Sequence, residues 1–322
     1  MCEIAIRTVG LTRTFGPVVA LDDLNLCVPL GVLHGLIGPN GAGKSTTLRL
    51  LLGLLCPSAG SCEVFGRDPV TCGQYVRSRV GAVVQPCGLY DALTPLENLD
   101  YYGRIWRISA HDRIAHAKVL LTQMGLWERR ENNIAEWGPG LRQRLCIARC
   151  LMHRPSLIVL DEPFAGLDAT AEDSLSRFLV DLVTKSGITI LMATNNLPVV
   201  EAICHTVTVL SRGRTIASGP TEVLCAQRGN PNIEIHGRGI SDEVVTLLLR
   251  RPEVTSAYRV DGGVSLQLVG HIDTSPIVSL MIESGVAVCE VRRSEPSLKS
   301  AVMSLLTSDA NMYVHTADDN DT

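Results

Sequence analysis

Residues 38–46, GPNGAGKST, constrain the fold of this chain more than any other segment. They fit the pattern G-x-x-x-x-G-K-[ST] of a phosphate-binding loop. Residues 32–37 before the loop are apolar enough for a buried strand, and residues 45–55 after it have helical composition. In that context the backbone N–H groups of the loop and of the helix N-terminus point at a nucleotide phosphate. The sequence therefore predicts a strand, a phosphate loop and a helix in that order.

Two side chains of the loop have specific predicted roles. Lys44 is expected to reach the β- and γ-phosphates, and the Ser45 hydroxyl is expected to ligate Mg²⁺. The predicted nucleotide contacts are the whole loop: Gly38, Pro39, Asn40, Gly41, Ala42, Gly43, Lys44, Ser45 and Thr46. A glycine turn with a chance lysine is the alternative, but further parts of a nucleotide site follow downstream.

Residues 157–163, LIVLDEP, predict a second part of the site. Four apolar residues followed by two carboxylates describe a buried parallel strand that ends at an active site. Asp161 is expected to hold Mg²⁺, and Glu162 is the candidate general base that polarises the attacking water. The alternative is a pair of carboxylates at a helix cap, which would not need the apolar run before it.

Length and composition limit the classes of protein. A chain of 322 residues suggests two domains, and 46% hydrophobic residues are enough for a sizeable core. The net charge of −4 argues against a nucleic-acid partner. No apolar run reaches the length of a membrane span without interruption, so we expect that the chain does not cross a membrane by itself. The eleven cysteines lack C-x-x-C spacing and are predicted to be small buried residues.

With these motifs in place, the chain resembles the ATP-binding subunits of ATP-binding cassette (ABC) transporters over residues 4–225. Phe15 occupies the position of an aromatic that stacks on adenine in that family. Gln85, in VGAVVQP, matches the glutamine that senses Mg²⁺ and the attacking water, and Asp168 ends the AGLD segment of the D-loop. Residues 90–98, YDALTPLEN, match the start of the family's helical subdomain. The resemblance implies ATP and Mg²⁺ as cofactors, with Ser45, Gln85 and Asp161 around the metal ion.

The predicted fold class is α/β, a phosphate-loop ABC cassette followed by a small α+β domain. Strands alternating with helices indicate a parallel sheet for the cassette, residues 1–227, with the helical subdomain at about residues 88–155. After the turn signal RGNP, residues 228–307 show the order βαββαβ of a ferredoxin-like domain. Residues 308–322 are polar and acidic and are predicted to be disordered. Residues 295–306, EPSLKSAVMSLL, resemble the ending found in the daunorubicin/bacitracin-resistance group.

Two segments depart from the family pattern. The family signature reads LSGGQ or YSGGM before R-Q-R, whereas residues 137–144 read WGPGLRQR. Gly138 replaces the serine, Pro139 replaces the first glycine and has no N–H to donate, and Gly140 is retained. Asn195 stands where the family has its switch histidine, and an amide cannot carry a positive charge. Either the remaining donors substitute for these groups or hydrolysis is severely slowed.

The resemblance implies two kinds of partner, an integral-membrane transporter subunit and a second ATP-binding subunit, identical or different. It places the chain at the cytoplasmic face of the membrane. The leading hypothesis is a subunit that binds and hydrolyses ATP through Glu162, Gln85 and Asn195, and drives export of a drug, antibiotic, lipid or peptide. The alternative is a nucleotide-gated regulatory subunit that binds ATP with little turnover. The sequence leaves both open.

Overall fold

The computed structural model describes residues 3–85, 87–228, 232–260, 262–268, 273–294 and 297–318. The chain divides into two compact units, Met1–Gly219 and Pro220–Thr322. The sequence predicts the domain boundary after residue 227. In the structure that residue lies near the end of the helix Thr221–Arg228, the first helix of the second unit.

The first unit alternates strands and helices after an initial hairpin. Its elements are β1 (Ile4–Phe15), β2 (Val18–Pro29), β3 (Leu33–Ile37), α1 (Lys44–Leu51), β4 (Ala59–Val64), α2 (Gly73–Arg77), β5 (Val80–Val83), α3 (Pro95–Ile105), α4 (Ala110–Gln123), α5 (Pro139–Leu151), β6 (Leu157–Asp161), α6 (Ala169–Ser186), β7 (Thr189–Thr194), α7 (Leu197–Ile203), β8 (Thr206–Ser211) and β9 (Arg214–Pro220).

Two sheets form the first unit. Strands β2, β1 and β4 make an antiparallel sheet in that order, and six strands make a second sheet in the order β5-β6-β7-β3-β8-β9. Strands β5, β6, β7, β3 and β8 pair in parallel. Every residue of β3, β6 and β7 is buried, which explains why these strands read as continuous apolar runs in the sequence.

The register of the parallel strands sets which residues share the carboxyl edge of the sheet. Ile37 at the end of β3 pairs with Thr194 at the end of β7. Asp161 at the end of β6 pairs with Ala193. Ligands bind outside the carboxyl ends of the strands in open parallel sheets. The loop that follows Ile37 and the residues that follow Asp161 therefore begin at one edge.

One hydrophobic core joins the two sheets of the first unit. It contains buried residues of β1, β3, α1, β6 and β7, such as Ile6, Leu36, Leu48, Val159 and Leu191. Helix α1 packs within this core directly after the phosphate loop. The loop is therefore anchored at both ends by elements that are fully packed.

A buried asparagine side chain organises the start of the helical subdomain. The Asn98 side chain is fully buried, and its Nδ2 donates to the carbonyls of Tyr90, Leu93 and Thr94 at 3.1, 3.2 and 3.0 Å. Its Oδ1 accepts from the Tyr90 N–H at 3.0 Å. Thr94 also forms a capping box with Glu97 at the start of α3. The segment YDALTPLEN thus folds around one side chain.

The second unit is an antiparallel sheet with helices. Its elements are α8 (Thr221–Arg228), β10 (Asn232–Arg238), α9 (Asp242–Leu249), β11 (Val254–Val260), β12 (Gly263–Leu268), α10 (Ser275–Glu283), β13 (Ala287–Ser294) and α11 (Leu298–Asp318). From β10 to β13 the order is βαββαβ, and the strand order is β11-β12-β10-β13. Its own core includes Ile235, Leu248, Val264 and Met281.

The C-terminal segment differs from the sequence expectation. A disordered tail is predicted from residue 308, whereas helix α11 continues to Asp318. Residues 298–318 contain no glycine or proline that would break a helix. Residues 319–322 of the predicted tail lie outside the described residues.

The cysteines are less buried than predicted. Ten cysteines lie in the described part of the chain, and none of these ten forms a disulfide; Cys62, Cys146, Cys150 and Cys204 are buried, and Cys27, Cys56 and Cys289 are exposed. Among the described helices, none is long and apolar enough to cross a membrane.

We expect the Asn98→Ala variant to lose about 2–4 kcal/mol of the free energy of unfolding of the first unit, because it leaves several buried backbone groups without partners. Thermal and urea unfolding of the full chain measure the loss. Asn132→Ala, at an exposed asparagine, is the matched control. Equal midpoints for the two variants would contradict this role of Asn98.

Candidate nucleotide-binding site

The phosphate loop takes a backbone conformation that requires glycine. Gly38, Gly41 and Gly43 have φ angles of 156°, 80° and 103°. A Cβ at Gly38 would lie 2.3 Å from the carbonyl oxygen of Leu210. A Cβ at Gly43 would lie 2.5 Å from Cδ2 of Leu21. Both the turn and the close approach of neighbouring residues therefore exclude larger residues at the two fixed glycines of the motif.

Lys44 lies inside this loop. Its side chain is buried, and Nζ donates to the carbonyl oxygens of Gly38 at 2.7 Å and Pro39 at 3.2 Å. Burial lowers the pKa of Lys44, and the charges of Glu162 and Asp161 act in the opposite direction. The ammonium thus shares its environment with the two carboxylates of the LDEP segment. Ser45 follows it in the first turn of α1 and is half-buried.

The two carboxylates follow β6 in different backbone conformations. Asp161 is the last residue of the strand and is buried. Glu162 has a φ of 47°, in the left-handed region that favours glycine, and its N–H donates to the carbonyl of Ala193 at 2.8 Å. The backbone therefore leaves the extended strand conformation at Glu162, directly after Asp161.

Two other predicted residues, Gln85 and Asn195, follow β5 and β7 at the carboxyl ends of these strands, and both are exposed. The structure therefore places them beyond the same edge as Asp161 and the phosphate loop. Their side chains are open to solvent, where a nucleotide, Mg²⁺ or water can approach.

Phe15 and Asp168 lie on different elements. Phe15 ends β1 in the antiparallel sheet, is 42% exposed, and has the Arg13 guanidinium 4.5 Å from its ring centroid. Asp168 is the N-cap of α6 and accepts from the Ala171 N–H at 2.8 Å. An exposed ring beside a cation leaves one aromatic face for stacking.

The altered signature starts helix α5. Gly138 is its N-cap, Pro139 is in the first turn, and the first intrahelical bond runs from the Arg142 N–H to the Gly138 carbonyl at 3.2 Å. Proline is favoured at that helical position because its missing N–H would have no helical partner there. A Cβ at Gly138 would meet nothing within 4 Å. A serine would therefore fit at this position without displacing other atoms.

Sequence reasoning missed three polar residues behind Glu162. The Thr194 hydroxyl donates to Oε2 of Glu162 at 2.8 Å and accepts from the Asn196 N–H at 3.1 Å. The Asn196 amide in turn donates to Oε2 of Glu172 at 3.2 Å. The available signal was the pair of polar residues on either side of Asn195, in TNN at residues 194–196, at the end of a buried strand.

Comparison with known proteins identifies the family of this chain. The ABC transporter family model matches residues 21–165. The chain is 31% identical over 304 residues to the bacitracin transport ATP-binding protein BcrA of Bacillus licheniformis, which covers 94% of this chain and 97% of that protein. The chain belongs to the ABC transporter ATP-binding family.

Other relatives and solved structures support the same family assignment. The daunorubicin resistance ATP-binding protein DrrA3 of Streptomyces coeruleorubidus is 31% identical, over 96% of this chain and 98% of that protein. A Nod factor export ATP-binding protein I of Rhizobium johnstonii is 35% identical, over 78% and 80%. A solved ATP-binding subunit of an ABC transporter superposes with a TM-score of 0.64 at 27% identity, over 77% of this chain and 100% of that chain.

Membership of this family makes the chain an ABC ATPase with ATP and Mg²⁺ as cofactors. ATP-binding subunits of the family dimerise and act with membrane transporter subunits. These findings confirm the predicted ABC cassette fold and the daunorubicin/bacitracin-resistance group. They also confirm the predicted enzyme class, the cofactors and both kinds of protein partner. The roles of individual residues stay predictions.

We expect the Gly43→Ala variant to lower ATP affinity by at least about tenfold, because Cβ would meet Leu21 and the Ala20 carbonyl inside the loop. Gly31→Ala is the matched control: Gly31 also has a positive φ, of 69°, but a Cβ there meets nothing within 4 Å. Titration with a fluorescent ATP analogue measures both. Equal affinities would contradict the steric requirement at Gly43.

Proposed function

We propose that this chain hydrolyses ATP at the interface of two cassettes and drives an integral-membrane exporter. The observation that carries the proposal is the placement of Lys44, Asp161 and Glu162, whose charges interact at the carboxyl edge of the parallel sheet. Lysine for the phosphates, aspartate for the metal ion and glutamate for water are the groups that phosphoryl transfer to water needs.

Each residue of the site has a role in the proposal. The loop residues and Lys44 hold the β- and γ-phosphates, and Phe15 stacks on the adenine. Ser45, Asp161 and Gln85 are the residues that would hold Mg²⁺. Glu162 accepts the proton of the attacking water, and the Asn195 amide donates to the γ-phosphate. ATP and Mg²⁺ supply the reacting phosphoryl group and the neutralising charge.

The start of α5 contributes to the site of the second cassette in this proposal. The N–H groups of Gly140 and Leu141 precede the first intrahelical bond, so they remain as donors for an anion at the helix N-terminus. Pro139 removes one donor and Gly138 removes a hydroxyl. The proposed outcome is a weaker clamp on the γ-phosphate that still uses the helix N-terminus, with Asp168 facing the same interface.

The membrane subunit is proposed to dock in an apolar groove of the first unit. A cavity of about 320 Å³ lies between the parallel sheet and the helical subdomain. Most of its lining is apolar or aromatic, including Leu54, Val84, Tyr102, Ile105 and Trp106, and Arg77, Arg149 and His153 also line it. Leu54 and Ile105 are 57% and 55% exposed and both line this groove, and a contiguous exposed apolar patch is typical of an interaction surface.

Export from the cytoplasmic face of a membrane is the proposed direction. The names of three relatives describe bacitracin transport, daunorubicin resistance and Nod factor export. Two of these names refer to antibiotics and the third to export. We therefore propose an exporter whose substrate is a drug, antibiotic, lipid or peptide.

Steady-state ATP hydrolysis by the full chain tests the proposed chemistry. We expect Glu162→Gln to lower kcat by at least about 100-fold, because the base is lost while the shape of the side chain is kept. A repaired variant with Gly138→Ser, Pro139→Gly and Asn195→His is expected to raise kcat, since each missing donor costs about 2.7–4 kcal/mol in comparable sites.

The same measurement separates the proposal from a regulatory subunit. If the wild-type chain binds ATP but shows no turnover above background, and the repaired variant regains turnover, the chain works by binding alone or needs an intact partner cassette. If the wild-type chain does turn over and Glu162→Gln leaves its kcat unchanged, Glu162 is not the base.

A matched pair of substitutions tests the docking groove. We expect Ile105→Asp to abolish co-purification of an integral-membrane protein with the tagged chain from detergent-solubilised membranes, because a charge in an apolar groove is costly to desolvate. Ile114→Asp on α4 is the control, since Ile114 is 59% exposed and does not line the groove. Both variants should bind ATP as the wild type does. Retention of the membrane protein by Ile105→Asp would exclude this groove.

A further inference from the structure

The strongest unused polar feature of the first unit is the hydroxyl behind Glu162. Thr194 ends β7 and is fully buried. Its Oγ1 lies 2.8 Å from Oε2 of Glu162 and 3.1 Å from the backbone nitrogen of Asn196. A buried hydroxyl in a strand otherwise made of apolar side chains and Thr189 is there for its hydrogen bonds, since burying it without partners would cost free energy.

The direction of both hydrogen bonds follows from the donors available. The Asn196 backbone N–H can only donate, so it uses a lone pair of the Thr194 oxygen. The single proton of the hydroxyl then points to the Glu162 carboxylate. The result is a charge-assisted hydrogen bond to one of the two carboxylate oxygens.

Thr194 itself is held rigidly. Its β-branched side chain has restricted rotation about χ1, and its backbone pairs in register with Ile37 at the start of the phosphate loop. Asn196 is fixed as well, because its Nδ2 donates to Glu172 and its Oδ1 accepts from the Val199 N–H at 3.3 Å. A hydrogen-bonded chain thus runs from the first turn of α6 to the carboxylate.

We infer that Thr194 is the positioning residue for the general base Glu162. The hydroxyl binds Oε2 and fixes the rotation of the carboxylate about its last bond. In the described part of the chain no other hydrogen bond to this side chain is found, so Oε1 remains available for the attacking water. A general base must sit within hydrogen-bond reach of the proton that it takes, and this contact provides that placement. The inference rests on the proposed role of Glu162.

Thr194→Val and Thr194→Ser, in the full chain, test the inference by ATP hydrolysis. Valine has the shape of threonine without the hydroxyl, and serine keeps the hydroxyl. We expect Thr194→Val to lower kcat about 10- to 100-fold, the range that loss of one hydrogen bond to a charged group corresponds to. KM for ATP should not change, because the hydrogen bonds of the Thr194 hydroxyl go to Glu162 and Asn196 and to no residue of the phosphate loop. Thr194→Ser should retain most of the wild-type rate.

A structural role alone would give a different pattern. It predicts a lower thermal midpoint and equal losses of kcat for Thr194→Val and Thr194→Ser. Positioning instead predicts that Thr194→Val loses kcat and that Thr194→Ser retains it. In the Glu162→Gln background, Thr194→Val should lower kcat no further. A wild-type kcat for Thr194→Val, alongside an inactive Glu162→Gln, overturns the inference and leaves the proposed function intact. A wild-type kcat for Glu162→Gln removes the premise itself.

A crystal structure of Thr194→Val gives a readout that does not depend on turnover. We expect the Glu162 carboxylate to leave the position that it has beside residue 194 or to occupy several rotamers. An unchanged, single carboxylate position in that variant contradicts the inference.

Discussion

The site depends on the register of three buried parallel strands. Strand β7 lies between β3 and β6, so its last residues face the start of the phosphate loop on one side and Asp161 on the other. A shift of one residue in either pairing would turn alternate side chains to the other face of the sheet and move the reacting groups apart. Burial of every residue in these strands on both faces opposes such a shift. The hydrophobic packing of the sheet therefore fixes the geometry of charged residues that lie at its edge.

Much of this arrangement could be predicted from sequence because the relevant signals are local. The phosphate loop has a fixed spacing of glycines, and LIVLDEP shows a buried strand that ends in carboxylates. The order of elements from residue 232 to residue 294 also follows from short patterns. The contact of Thr194 with Glu162 could not be predicted, since it depends on a strand register between residues more than thirty positions apart. The helix through residues 308–318 differs from the predicted disorder because the segment, although polar, contains no glycine or proline that would break a helix.

The departures at residues 138 and 139 occur where the backbone tolerates them. The N-cap position of α5 accepts glycine, and the first turn accepts proline, so the helix forms without the signature residues. Stability of the helical subdomain and the proposed contact with the nucleotide of a second cassette are therefore separate properties of this helix start. The subdomain is stabilised by Asn98 and by the Arg142 side chain, which bonds Asp91 at 2.5 Å and the Ile134 carbonyl at 3.1 Å. The residues of the proposed phosphate clamp can therefore change here while the fold is kept.

Lys44 is bonded to the carbonyls of Gly38 and Pro39, both within its own loop. In the proposed site, a nucleotide phosphate would replace these two acceptors with its own oxygens, and the glycine turns would keep their conformation. Phosphate binding would then exchange the hydrogen-bond acceptors of the Lys44 ammonium group, and little of the backbone would have to become ordered. In calorimetric terms, the phosphate loop should contribute little to the heat capacity change of nucleotide binding. A large negative change would have to arise from apolar surface that is buried elsewhere, when two cassettes close on each other.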